Sequence, residues 1–137
     1  MKIILEYNRF SHKEELMNKI RVVLTPDLLK GMWKNANLSN GVAGHCYAAT
    51  EALYWMLGGP DGEYKAFVLS HRVWPEGLNN GETHWFLRNS GGDILDPTAD
   101  QFDVDILYDR GVPNGMMNYP NGGSKRAREI IKRVNAL

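Results

Sequence analysis

The chain has 137 residues, 43% of them hydrophobic and 23% charged, and its formal net charge at neutral pH is zero. That size supports one domain with its own hydrophobic core, and the composition argues against a disordered or fibrous chain. Zero net charge excludes a global field that draws nucleic acid or an anionic membrane, and no apolar run approaches the roughly 20 residues of a membrane helix.

Lys2 and Glu6 bracket only Ile3-Ile4-Leu5, too short a run for a secretory leader. The single cysteine, Cys46, permits no internal disulfide, which fits a reducing compartment. A cytoplasmic location is the expectation, with no cofactor and no membrane partner.

Met1 to Tyr7 is expected as a short strand. Ser11-His12-Lys13-Glu14 has capping-box spacing, and Leu16, Ile20, Val23 and Leu24 recur at helical intervals, so a helix is expected over 12–24. Thr25-Pro26-Asp27 restarts the chain as the cap and first turn of a second, short helix reaching about residue 34. Asn37 to Gly44 then forms a loop that leads into Cys46.

From Cys46 the apolar positions Ala49, Ala52, Leu53, Met56 and Leu57 lie on one helical stripe. Its alanines allow another element to pack closely, and Gly58-Gly59-Pro60 ends the helix. Tyr64 to Leu69 reads as a strand, and 71–81 as a loop with an Asn80-Gly81 turn signal. Thr83–Arg88 and Asp93–Asp96 flank Asn89-Ser90-Gly91-Gly92, the pattern of a β-hairpin. Thr98–Gln101 can open a short helical turn. Residues 109–123, rich in Gly, Pro and Asn, read as a long irregular segment, which in a compact domain is more often functional than idle. Ser124 caps a last helix over 124–137 with Ala127, Ile130, Ile131 and Val134 facing the core. The whole is a single α+β domain over 1–137, without repeat or linker.

Cys46 sits where a helix begins, and the backbone N–H groups and positive dipole end there favour a thiolate. A nucleophilic thiolate needs a base, and the base needs a third group to orient it. The chain offers His12, His45, His71 and His84. His12 falls on a surface helix, His45 adjoins Cys46 with a diverging side chain, and His71 has no carboxylate of obvious use nearby. His84 shares the hairpin with Asp96. A loop over 89–91 sets His84 opposite Asp96, and a loop over 90–92 makes the two diagonal neighbours on one face. A two-residue loop puts Asp96 on the other face. Gly91 and Gly92 both suit the left-handed last position of a three-residue loop. The Cys46 backbone N–H is a natural oxyanion donor, and Asn40 or Asn37 can offer a side-chain amide as the second.

Together, Cys46 opening an Ala-rich helix, His84-Trp85-Phe86-Leu87, a glycine turn and Ile94-Leu95-Asp96-Pro97-Thr98 resemble the transglutaminase-like branch of the papain-like cysteine enzymes. The resemblance covers about residues 40–100, with peripheral helices over about 12–34 and 124–137 outside it. The Asp-Pro-Thr strand end is its most specific part. This chain has Trp85 directly after His84, where the family usually places a small residue between them, and Asn40 stands where papain-like enzymes carry a glutamine. The resemblance implies a papain-like fold, with a Cys-bearing central helix packed on a small antiparallel sheet. It also implies acyl-transfer chemistry through a thioester: peptide or amide hydrolysis, deamidation, transamidation or acetyl transfer. Cys46, His84 and Asp96 would be the catalytic triad, acting on a protein, peptide or small amide or ester substrate.

Plainer readings stand beside this one. A lone cysteine at a helix start is commonly a small buried hydrophobe, and Asp96 before Pro97 can be a turn residue. His45 can be a substrate contact or, with Cys46, His84 and Asp96, a zinc ligand, although adjacent His and Cys suit one metal poorly. No metal is therefore expected. Trp33, Trp55 and Trp85 suit the core, Trp85 also bordering the site, while Trp74 lies in the loop beside it. Lys125, Arg126, Arg128, Lys132 and Arg133 form a solvated helix face without the interleaved aromatics of a nucleic-acid surface. The competing functional class is a binding protein on the same fold that performs no catalysis, with 71–81 and 109–123 as the segments free to shape a cleft.

Overall fold

A computed structural model of the chain describes residues 2–25, 27, 46–69, 83–99, 105–115 and 123–137. Three helices, α1 (Lys2–Val23), α2 (Cys46–Met56) and α3 (Lys125–Asn135), accompany four strands, β1 (Lys65–Leu69), β2 (His84–Arg88), β3 (Ile94–Leu95) and β4 (Val112–Pro113). The strands form one antiparallel sheet in the order β3-β2-β1-β4. The class is mixed α+β, with α2 packed against β2.

The first helix corrects the opening of the chain. Lys2 to Tyr7 is helical rather than a strand, and Ser11 is an interior helical position rather than a cap. A three-residue apolar run such as Ile3-Ile4-Leu5 fits either period, and its flanks, not its own pattern, decide the outcome. His12 accordingly lies mid-helix, and it is exposed. The expected stripe Leu16, Ile20, Val23 and Leu24 is buried, together with Met17. The second short helix and the loops 37–44 and 71–81 lie outside the described residues, apart from Thr25 and Asp27. The Thr25 hydroxyl donates to the Asp27 carboxylate.

Helix α2 is the centre of the main core. Ala48, Ala49, Ala52 and Leu53 are fully buried, and the small alanines let α3 approach with Ala127, Ile130 and Val134. Gly58 ends the helix in the left-handed region at φ 111°. Ser124 caps α3 as its position predicts, its side chain accepting from Ala127 N–H at 3.3 Å.

A carboxyl group sits inside this core. Glu51 is 0% exposed, and its carboxylate accepts from the Ser124 hydroxyl at 2.5 Å and the Ser124 N–H at 3.1 Å. The carboxylate thus rests at the N-terminus of α3, where the unpaired amides and the helix dipole favour negative charge. Gly123 makes this approach possible. At φ 96°, a Cβ there would lie 2.9 Å from the Trp55 ring and 3.2 Å from the Glu51 carboxyl carbon.

The sheet separates two apolar clusters. Ala66, Leu87 and Leu95 face the helices with half-buried Trp85 against them. Leu69 and Phe86 form a second cluster with Phe67, Ile94, Ile106 and Tyr108. Residues 109–115 are more regular than their composition suggests. A 3₁₀ turn at Tyr108–Arg110 leads to β4, which pairs Val112 with Val68 and Pro113 with Phe67. Strand β4 is an edge strand, the place where a sheet tolerates proline.

Candidate active site

The hairpin β2–β3 pairs Leu87 with Leu95 and Arg88 with Ile94. This is the register of a loop over 90–92. The Asn89 N–H donates to the Asp93 carbonyl at 3.1 Å, and Gly92 closes the turn at φ 88°. A side chain is strained there, so the glycine selects this loop over its neighbours. The consequence reaches the site directly: His84 and Asp96 fall on one face as diagonal neighbours.

They meet at short range. His84 Nε2 lies 2.7 Å from Asp96 Oδ2, and the two side chains are 0% and 4% exposed. Asp96 also accepts from the Tyr108 hydroxyl at 2.7 Å and, through Oδ1, from the Thr98 N–H at 3.2 Å. The Asp96-Pro97-Thr98 corner is tied to α1, because Arg21 Nε donates to the Pro97 carbonyl at 2.9 Å.

Cys46 arrives from the other side. Its Sγ lies 3.7 Å from the Thr83 carbonyl oxygen, at the entry to β2, and the residue is partly exposed. Two contacts seat this end of α2 on β2. Thr50 donates its hydroxyl to the Trp85 carbonyl at 3.1 Å, and the Tyr47 ring meets Trp85 edge-on at 4.9 Å. Trp85 therefore serves as a packing surface for the cysteine helix.

The electrostatics of His84 follow from these neighbours. Burial by itself lowers its pKa, because a charged imidazolium loses water. Hydrogen bonds to Asp96 and to Cys46, together with the charges of both, outweigh burial and raise it to about 9. The imidazolium is thus the favoured form at neutral pH. With Nε2 engaged by Asp96, Nδ1 is the nitrogen suited to exchange a proton with the thiol.

The structure brings Cys46, His84 and Asp96 together. Asn37, Asn40, His45, His71 and Trp74, expected as oxyanion donors, substrate contacts or candidate bases, lie outside the described residues. No group of three or more His, Cys, Asp or Glu side chains among the described residues has the arrangement of a metal site. Two polar residues escaped the sequence pattern, Tyr108 at the site and Glu51 in the helical core. Tyr108 sits in a segment without periodicity, and nothing local marks it as a partner of Asp96. Glu51 did carry a signal, a lone carboxylate within the buried stretch Ala48–Leu53. No helix among the described residues is long and apolar enough to cross a membrane. No protein-family model, curated protein or solved structure matches the chain.

Proposed function

We propose that the chain is a small cysteine-dependent acyl-transfer enzyme of transglutaminase-like, papain-like type, hydrolysing or transferring an amide- or ester-linked acyl group. The observation that carries this reading is the buried His84, held at 2.7 Å by Asp96 and acted on by Cys46 at the start of α2. The Cys46 thiolate attacks the carbonyl carbon, forming a C–S bond and moving the π electrons onto oxygen. The Cys46 backbone N–H, at the helix start, is proposed as one donor to that oxyanion, and the Asn40 amide as the second. His84 gives its Nδ1 proton to the departing amine or alkoxide as the C–N or C–O bond breaks, leaving a thioester. Water or an amine then attacks, His84 takes the proton, and the C–S bond breaks to return the thiolate. Asp96 keeps the imidazole oriented throughout.

Iodoacetamide labelling tests the reading. Cys46 is expected to react readily at neutral pH, and His84→Ala is expected to slow that reaction at least about tenfold. A rate that is ordinary at every pH and indifferent to His84→Ala would sink it.

A further inference from the structure

Asp96 makes one strong bond that an orienting carboxylate does not strictly need. Its Oδ2 receives both His84 Nε2 and the Tyr108 hydroxyl, each at 2.7 Å, while Oδ1 takes the Thr98 N–H at 3.2 Å. Tyr108 lies 12 residues beyond Asp96, in the 3₁₀ turn Tyr108–Arg110. Its ring packs edge-on against Phe86 at 5.0 Å, within the cluster that also holds Leu69. The ring is thus placed by apolar packing, and the hydroxyl is delivered to Asp96 as a result.

Two donors on one carboxylate oxygen are not independent. Each draws electron density from the same lone pairs, so each weakens the hold on the other. We infer that Tyr108 is a positioning residue of the triad, which pins the Asp96 oxygen that faces His84 and draws off part of its charge. This rests on the triad reading above. Among the described residues, His84 from β2 and Tyr108 from the turn bond Asp96, Cys46 of α2 acts on His84, and Arg21 of α1 is bound to the adjoining Pro97 carbonyl. An ordinary phenol ionises near 10, so a tyrosine hydroxyl is a donor across the neutral range. With the donor present, Asp96 holds the imidazolium less tightly than a bare carboxylate would, and the histidine gives up its proton more readily.

Tyr108→Phe keeps the ring against Phe86 and deletes only the donor. The His84 titration is followed by NMR in the full chain carrying Cys46→Ser, so that the readout does not depend on the nucleophile. Tyr108→Phe is expected to raise the midpoint by about half a pH unit or more, with Tm changed by only a few degrees. Site-specific 3-fluorotyrosine at 108, a stronger donor, is expected to move the midpoint down. Opposite shifts from two nearly isosteric side chains are not the signature of a packing role. A midpoint unmoved by both replacements overturns the inference. If Tyr108→Phe fails to fold, the fluorinated side chain decides alone, and an unmoved midpoint again overturns it. Failure of the triad reading would look different: His84→Ala would leave Cys46 labelling unchanged while the His84 midpoint still responded to residue 108.

Discussion

Glu51 and Asp96 are both buried carboxylates, and their surroundings part ways. Glu51 is satisfied by a serine hydroxyl and a backbone amide at the start of α3, groups that hold no ionisable proton near neutral pH. Asp96 is satisfied by a histidine, a tyrosine and one amide, two of the three being titratable side chains. Both arrangements meet the requirement that a buried charge be hydrogen-bonded. Only the second can pass a proton. A carboxylate facing fixed donors joins a helix to its neighbour, whereas one facing an imidazole governs that ring's protonation and tautomer.

The largest separation between the two is expected from Asp96→Asn. The amide keeps the volume but removes the charge that favours the imidazolium, and it allows the wrong tautomer. Loss of acyl transfer by about 10³–10⁴-fold is expected from the equivalent change in a hydrolase triad, measured as turnover of an activated ester. Equal activity in this variant would place Asp96 with Glu51 as a structural group.

Glu51→Ala should do the converse. It leaves the Ser124 hydroxyl and N–H without their acceptor and opens a gap beside Trp55, at a cost of about 3 kcal/mol. Urea denaturation reads this directly. The iodoacetamide rate of the folded fraction should stay that of the wild type, and a fall there would mean that the two networks are coupled.

A smaller effect separates the carboxylates by pH. The His84 pKa is raised in the fold, to about 9 from an ordinary 6.5, so proton binding favours the folded state. That stabilisation is complete below about 6.5 and is lost as pH rises through about 9. Its full size is on the order of 3 kcal/mol, at 1.36 kcal/mol per unit, and only part of it remains to be lost above pH 7. Denaturation midpoints should therefore fall between pH 7 and 9.5 in the wild type. The fall should be much reduced in His84→Gln and retained in Glu51→Ala, whose missing group takes no part in it.

Much of this arrangement is written locally. Cys46 begins its helix and Gly58 ends it because an alanine-rich stripe and a left-handed glycine suffice to specify both. Ser124 caps α3 for an equally local reason, and the strand pattern of 65–69 is visible without its neighbours. The hairpin was legible down to a choice between loops. Both three-residue loops bring His84 and Asp96 to one face, and the structure selects 90–92 with Gly92 left-handed. The opening of α1 was misread because Ile3-Ile4-Leu5 is too short to reveal a period. Strand β4 was missed because a two-residue edge strand ending in proline carries no alternation at all.

The sequence by itself determined the start of the cysteine helix and the face on which His84 and Asp96 stand. A helix start, a glycine turn and a two-residue side-chain period are all short-range properties. Only the tertiary structure decided that Cys46 reaches the entry of β2, that Tyr108 shares an oxygen of Asp96, and that Glu51 lies at the N-terminus of α3. Two of those contacts join residues 37 and 73 apart in the chain, and Tyr108, 12 residues from Asp96, reaches it through a segment with no periodicity. Such pairs are settled by how the apolar faces pack, and local spacing cannot encode them.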